Sequence, residues 1–364
     1  GTFLFADDSA NTVSDVEGLV ETCHTVGHWL TENGLRAGIQ KCGVMQVTGG
    51  YSRVPRQLLN NAHRFLIAGE RVPMVAQYEY LGITIHRSLN RDLMVAERLA
   101  KGKKVVELLE PFLRCKSIPI FMRKAVLQAV AIPRLLYGAE IFGMRKEYTQ
   151  KVQVFLNRAL RALAGLPRKA SVSCVALWRA FEVPPVCAIA AGRKSRALIK
   201  ARELKTEISS MVRTRFKSRQ VTWVTSAERW LNRYAHKLVS DMVDDQEGWG
   251  YAQDEDTRDL EEEIEKAKGR WRSATDPRML ARIIQRAVWM REERVKRTKA
   301  GARYIASGYM TWDMTGRRWW PYTQVSTGIS YILQFQIGAI WAAQKLAKFS
   351  VIATKYEEWC PCCG

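Results

Sequence analysis

The sequence predicts an α+β protein, with strands and one helix over residues 1–90 and helices over most of the chain from residue 91 onward. Two observations lead to this fold class. Short β-prone runs bounded by turn residues dominate the first 90 residues, whereas apolar residues recur every three or four positions beyond them. With 47% hydrophobic residues the chain can fold, and no apolar run reaches the roughly 18 residues that cross a bilayer, so no membrane partner is expected.

The first predicted element is a pair of strands joined by a turn. Residues 2–5 are apolar, residues 6–11 form turns readily, and the β pattern resumes at residues 12–13. Asp7 and Asp8 fall in the turn. Adjacent carboxylates at such a tip can hold the divalent cations of a two-metal phosphoryl transfer, which makes both aspartates candidate Mg²⁺ ligands. An ordinary solvated turn fits the same residues.

A helix is predicted next, because apolar residues recur at helical spacing up to Leu30. Ser14 is the expected N-cap, and the helix is expected to stop at Gly34. His24 and His28 lie one helical turn apart, with Cys23 beside them, and could share a metal ion. A plain helix without a metal site explains these residues as well.

The remaining strands of the first 90 residues are predicted at three places. These are residues 44–48, a small hairpin of residues 65–68 and 72–75 around Gly69, and a strand at residues 78–85 with Gly82 inside it.

From residue 91 the hydrophobic pattern is helical almost throughout. In the segment 149–164, for example, the apolar residues share one face, while Arg158 and Arg161 lie off it and can meet phosphate or simply water. The predicted helices are 92–110, 118–131, 149–164, 171–182, 186–212, 226–240, 255–268, 278–299 and 328–349.

The charge distribution favours a polyanionic partner. The net charge is +21, the first 90 residues are near neutral, and the positive excess lies on either side of a densely acidic segment, residues 241–265, which is a candidate linker. Nucleic acid is the simplest such partner, and a merely solvating basic surface is the alternative.

The cysteines and the start of the chain give two further expectations. Eight cysteines without the spacing of a disulfide scaffold fit a reducing compartment. The chain starts at Gly1 rather than at methionine and carries no signal peptide, so it is expected to be a fragment of a longer protein.

Four segments, in this order, resemble the reverse transcriptase of non-LTR (LINE-type) retrotransposons. They are Phe-Ala-Asp-Asp at residues 5–8, GLRAGIQKCGVMQV at residues 34–47, YEYLGITIHRSLN at residues 78–90 and PRLLYGAEIF at residues 133–142. The resemblance implies that residues 5–8 are motif C of a polymerase palm. Asp7 and Asp8 would then bind Mg²⁺, with Asp7 the firmer ligand.

The resemblance also assigns Lys41 and a hairpin. Lys41, seven residues after Gly34, would help to protonate or stabilise the leaving pyrophosphate, although a surface lysine beside a strand is equally compatible with the pattern. Tyr80, Leu81 and Gly82 would form the primer grip, where glycine lets the primer backbone approach closely. Core packing explains Leu81 equally well.

The resemblance divides the chain into four parts. Residues 1–90 would be a partial palm of antiparallel strands and a helix with the primer grip, 91–170 a helical thumb, 171–355 a basic helical region containing the acidic linker, and 356–364 the start of a zinc knuckle. Solvated side chains are the alternative for any of the candidate nucleic-acid contacts, which are Arg123, Lys124, Arg134, Arg158, Arg161, Arg317 and Arg318.

Two features lie near the carboxyl end. Cys360 and Cys363 have the spacing of half a zinc site, and a closed site needs two more ligands, so Zn²⁺ is expected only if the chain continues past residue 364. Trp319 and Trp320, next to Arg317 and Arg318, could stack on unpaired bases or pack in a core.

Two functional hypotheses follow. The first is an RNA-directed DNA polymerase with an RNA template and a DNA primer or target, in a nuclear ribonucleoprotein that has a cytoplasmic stage. The isolated chain is then expected to be inactive, because the fingers and a further catalytic carboxylate would precede Gly1. The second is a non-catalytic RNA-binding protein derived from a retroelement, acting as a structural component of a ribonucleoprotein.

Overall fold

A computed structural model describes residues 2–5, 8–47, 60–170, 172–214, 222–235, 276–295 and 334. The chain divides into two compact units, residues 1–98 and residues 99–364. The described residues are mainly helical, with three two-stranded antiparallel sheets in the first unit, and are compatible with the predicted α+β class. Several predictions lie outside the described residues: Asp7, the acidic segment 241–265, the helix 255–268, all of 328–349 except residue 334, Arg317, Arg318, Trp319, Trp320, Cys360 and Cys363.

The first two strands form an antiparallel hairpin, as predicted. Strand β1 (Thr2–Phe5) pairs with strand β2 (Asp8–Asn11), and Phe5 lies opposite Asp8. The second strand begins four residues earlier than expected, because only two residues connect the strands and a two-residue loop lets pairing resume at once. Asp8 therefore belongs to a strand rather than to the turn.

Helix α1 (Val16–Glu32) is capped by Asp15, and the prediction of Ser14 as N-cap is wrong. An Asp15 carboxylate oxygen accepts the Gly18 amide at 2.7 Å, while the Ser14 hydroxyl donates to the other oxygen. Aspartate caps a helix as well as serine does and also complements the positive end of the helix dipole. The predicted stop is confirmed, since Gly34 has a φ of +64°.

A second hairpin packs on α1 through a close backbone contact. Strands β3 (Leu66–Ile67) and β4 (Glu70–Arg71) are joined by Ala68 and Gly69. A Cβ atom on Gly27 would lie 2.6 Å from the Ala68 nitrogen, so only glycine permits this approach. Among the described residues, Cys23, Val44, Ala62, Phe65 and Val72 form a core cluster of the first unit.

The third hairpin replaces the single strand predicted at residues 78–85. Strand β5 (Gln77–Tyr80) pairs with strand β6 (Ile83–His86), with Tyr80 opposite Ile83. Leu81 and Gly82 make the turn, with φ values of +48° and +72°. Positive φ at both central residues is the geometry of the tight hairpin turn whose twist matches the strands. The hairpin implied by the family resemblance is thus present, while the single strand is not.

The predicted strand at residues 44–48 is reduced to one bridge. Val44 pairs in parallel with Met74, and residues beyond 47 in this segment are outside the described part.

Ten helices follow the third hairpin among the described residues. They are α2 (Arg91–Arg114), α3 (Ile120–Val126), α4 (Ile132–Leu135), α5 (Ala139–Phe142), α6 (Lys146–Leu163), α7 (Cys174–Ala180), α8 (Val186–Glu203), α9 (Glu207–Arg213), α10 (Trp223–Trp230) and α11 (Pro277–Val295). The segment 186–212, predicted as one helix, forms two helices, because the backbone is extended at Leu204, between α8 and α9.

Helices α3 and α4 are joined by a π-helical turn at residues 127–131. The Ile132 amide bonds to the Leu127 carbonyl, five residues back instead of four. Pro133 follows directly. Proline has no amide hydrogen and its ring crowds the carbonyl four residues earlier, so the wider turn lets the helix pass through a proline that would otherwise break it.

The core of the second unit forms where α8 and α11 pack together. A Cβ atom on Gly192 would lie 2.7 Å from the Ala281 carbonyl oxygen, so the two helices touch backbone to backbone. Leu198, Ile283 and Ile284 are almost fully buried beside this contact. Within the described residues, no helix has the length and apolar character needed to cross a membrane.

Candidate functional site

Two of the three predicted catalytic residues are described, and both are exposed in the first unit. Asp8 is the first residue of β2, and Lys41 is the last residue of a short 3₁₀ turn, Ile39–Lys41. The structure connects the Lys41 backbone to the third hairpin, since the Tyr78 hydroxyl donates a hydrogen bond to the Lys41 carbonyl oxygen at 2.7 Å. Tyr78 lies on β5, two residues before Tyr80.

The surroundings of Tyr78 affect the pKa of its phenol. Burial raises the pKa of the Tyr78 phenol, and the neighbouring charges of Cys42 and Asp8 raise it further. Asp8 is therefore within electrostatic reach of the phenol that binds the Lys41 backbone. Two segments far apart in the chain, the Lys41 turn and β5, therefore meet at this tyrosine.

The backbone just after Lys41 is hydrogen-bonded to the backbone that leads into β5. The Val44 amide donates to the Pro73 carbonyl and the Val75 amide donates to the Val44 carbonyl, each at 2.9 Å. A Cβ atom on Gly43 would lie 2.8 Å from Val75 and 3.4 Å from the Tyr78 ring. The absence of a side chain at Gly43 lets Val75 pack against this backbone, with the Tyr78 ring beside it.

The donor chemistry of the aspartate turn suits Mg²⁺. Carboxylate oxygens are the protein ligands that Mg²⁺ prefers, and Asp8 presents an exposed carboxylate at the start of a strand. Asp7 lies outside the described residues. Among the residues that the structure does describe, no cluster of three or more potential metal ligands occurs.

Cys23, His24 and His28, the candidates for a shared metal ion, lie in different environments. Cys23 is buried in the core, and burial is the main cause that raises the pKa of its thiol. His24 is exposed, and His28 is exposed with Nδ1 lying 3.2 Å from a carboxylate oxygen of Glu32. Core packing therefore accounts for the cysteine, and the surface accounts for both histidines.

The candidate primer-grip residues lie at the tip of the third hairpin. Tyr80 ends β5, and Leu81 and Gly82 form the turn, each half-buried. The hairpin therefore presents its backbone and one aromatic ring at a tight tip.

Arg123, a candidate phosphate contact, is fully buried. Its guanidinium donates to the carbonyl oxygens of Leu113, Ile118 and Leu163, at 2.8, 2.9 and 3.1 Å. Leu113 and Leu163 lie in the last turns of α2 and α6, where carbonyls have no partner within the helix. The expectation of a phosphate contact is corrected, because this guanidinium joins helix ends inside the fold.

Arg158, another candidate, belongs to an ion cluster around Glu110. The Glu110 side chain is 7% exposed and accepts paired hydrogen bonds from Arg114, Arg158 and Arg168 at 2.7–3.1 Å. Arg158 also approaches Glu107 at 3.3 Å. The hydrogen bonds from Arg168, opposed by burial and reinforced by those from Arg158 and Arg114, hold the pKa of Glu110 at about 2, below its ordinary 4.5.

The other described candidates divide between paired and exposed positions. Lys124 forms an ion pair with Glu182 at 2.8 Å, and its side chain is 13% exposed. One Arg161 nitrogen lies 3.7 Å from the Cys174 sulfur. Arg134 is exposed, so of these three it is the one best placed to meet a ligand.

The sequence interpretation missed Tyr78 and Glu110. Glu110 and Arg114 are four residues apart on one helix, the spacing of an intrahelical ion pair, so part of that cluster was detectable. The Tyr78 contact had no such signal, because its partner is a backbone carbonyl 37 residues away.

No protein family, curated protein or solved structure matches the chain.

Proposed function

We propose that the chain is the part of a non-LTR retrotransposon reverse transcriptase that runs from motif C of the palm into the thumb, and that it serves RNA-directed DNA synthesis. One observation carries the proposal. The Lys41 turn is hydrogen-bonded to the hairpin that carries Tyr80, Leu81 and Gly82, through the Tyr78 hydroxyl, in the same unit as the aspartate hairpin. In a polymerase of this family the same three segments hold the metal ions, the leaving group and the primer end.

The reaction is a nucleotidyl transfer. The 3′ oxygen of the primer bonds to the α-phosphorus of the incoming nucleotide, the bond to the bridging oxygen breaks, and pyrophosphate leaves. The hydroxyl gives up its proton to water, and the Lys41 ammonium would donate a proton to the leaving pyrophosphate. Mg²⁺ held by Asp7 and Asp8 would lower the cost of the negative charge that develops on the phosphate oxygens.

The second unit supplies exposed cations for the duplex. Several lysines and one arginine of α2, α4 and α6 are exposed, as phosphate contacts require. They include Lys103, Lys104, Arg134, Lys146 and Lys151.

The test is magnesium-dependent primer extension by the protein expressed from its complete reading frame. Asp7→Ala and Asp8→Asn should each abolish extension without weakening duplex binding, since they remove metal ligands and not phosphate contacts. Asp92→Asn, an exposed aspartate in the first turn of α2, is the matched control and should retain activity. Extension that survives both aspartate changes would overturn the proposal.

A second outcome would favour the other hypothesis. If the protein binds RNA with a steep salt dependence but never extends a primer, the better description is a non-catalytic RNA-binding protein.

A further inference from the structure

The proposed reaction needs a lysine in a fixed place, and the Lys41 turn is short. It comprises three residues, Ile39–Lys41, whose end is closed by hydrogen bonds from Lys41 to Gly38 at 2.7 Å and from Cys42 to Ile39 at 3.0 Å. A single turn of this kind has little stability of its own. Something outside the turn must hold the lysine backbone in position.

Tyr78 makes such a contact at Lys41 itself. Its hydroxyl donates to the Lys41 carbonyl at 2.7 Å, and its ring lies beside Gly43. The tyrosine itself is anchored on β5, where it pairs with Ile85 of β6. The contact therefore connects the lysine turn to a hydrogen-bonded hairpin.

We propose that Tyr78 is a positioning residue for Lys41, holding the lysine backbone against the primer-grip hairpin so that its ammonium meets the leaving pyrophosphate. This inference rests on the proposed function. Tyr78 itself touches neither substrate nor metal in this scheme, and acts through the lysine. The hydroxyl rather than the ring is the essential group, because only the hydroxyl binds the carbonyl.

The first experiment measures, in the 364-residue chain, how much the hydrogen bond from Tyr78 stabilises the Lys41 turn. Tyr78→Phe keeps the ring and removes only the hydroxyl. Amide hydrogen exchange over residues 38–44 should become about fivefold faster, the loss expected for one hydrogen bond, while exchange in α1 stays unchanged. Thr25→Val is the matched control, since the Thr25 hydroxyl also donates to a backbone carbonyl, that of Glu21 at 2.9 Å, on the outer side of α1.

The second experiment is a double-mutant cycle in primer extension by the protein from its complete reading frame. Tyr78→Phe should lower kcat about tenfold and leave the Kd for the primer–template duplex unchanged. Combined with Lys41→Ala, it should cause no further loss, because a residue that acts only through Lys41 has nothing left to position. Thr25→Val should leave kcat unchanged.

The outcomes separate the two proposals. If the wild type extends primers but the two losses multiply, or if Tyr78→Phe weakens duplex binding in proportion to kcat, the positioning role is wrong and the proposed function stands. Unchanged exchange and unchanged kcat in Tyr78→Phe also overturn the positioning role. If the wild type extends no primer, the proposed function fails, and the role of Tyr78 in it fails as well.

Discussion

The two units of the molecule use their arginines differently. In the first unit Arg64 pairs with Glu17 at 2.5 Å on the surface, where the two side chains are 36% and 73% exposed. In the second unit Arg179 pairs with Glu293 inside the fold, where the two side chains are only 6% and 3% exposed. Arg123 is buried as well and binds carbonyls. The basic sequence of the second unit therefore serves its interior as well as its surface.

This difference bears on how a net charge of +21 is interpreted. Charge counted along a sequence measures the potential for binding a polyanion, but it does not say which cations face the solvent. Of the candidate contacts, Arg123 and Arg158 bind groups of the protein itself, whereas Arg134 is exposed.

The largest effect is expected at Glu110. Glu110→Ala leaves three arginines without their shared carboxylate, and removing one side of a buried ion cluster costs about 3–5 kcal/mol of unfolding free energy. Urea unfolding followed by helical circular dichroism measures the loss. Glu107→Ala, which removes a more exposed partner of Arg158, is the control and should cost less than about 1 kcal/mol. Equal losses would mean that burial does not distinguish the two glutamates.

The same cluster predicts a pH dependence of stability. The pKa of Glu110 falls from 4.5 to about 2 on folding, so the folded state favours the carboxylate. Its contribution is complete above pH 4.5 and is lost as the pH falls through about 2. The difference in urea midpoint between the wild type and Glu110→Gln should be constant at neutral pH and shrink over that acidic range. A difference that grows on acidification would contradict the assignment.

Arg123 and Arg134 allow a buried and an exposed arginine to be compared within one continuous helical stretch. Arg123→Met leaves buried carbonyls without their donor and should cost about 2–4 kcal/mol. Arg134→Met changes an exposed side chain and should cost under about 0.5 kcal/mol. Binding of a primer–template duplex should show the reverse order, weakened by the Arg134 change and, per folded molecule, unaffected by the Arg123 change. Calorimetry and fluorescence anisotropy provide the two measurements.

The smallest effect belongs to the surface pair of the first unit. Arg64→Ala should shift the urea midpoint slightly at low salt, and the shift should vanish at about 1 M salt, where exposed charges are screened. Arg71→Ala, an exposed arginine on β4, is the control. A shift that persists at high salt would show that the Arg64 contact is more than a surface ion pair.

Local chemistry made much of the first unit predictable. The paired strands around the aspartates, the amphipathic α1 and its stop at Gly34 all depend on neighbours in sequence. The β pattern continues through Leu81 and Gly82, so it predicted a single strand at residues 78–85. The structure has a two-residue turn at Leu81 and Gly82 between two paired strands. A leucine with positive φ is unfavourable by itself, and pairing of the flanking strands stabilises it.

The sequence pattern did not predict which charged residues are buried. Arg123 stands between a methionine and a lysine in an ordinary helical pattern, and the meeting of the α2 and α6 ends supplies two of the three carbonyls that its guanidinium binds. The Tyr78 contact has the same origin, since folding brings Lys41 to β5. Side chains that bind distant backbone leave no periodic signal.

The π-helical turn at residues 127–131 has a consequence for evolution. Its hydrogen-bonded loop encloses one more residue than an α-helical loop, so it is equivalent to a single-residue insertion within a continuous helix. Deleting one residue there would let the turn close as an ordinary α-helical turn, and the residues on either side, including the buried Leu135, would keep their faces. A relative without Pro133 could therefore have a regular helix here, and an alignment with it should carry a one-residue gap.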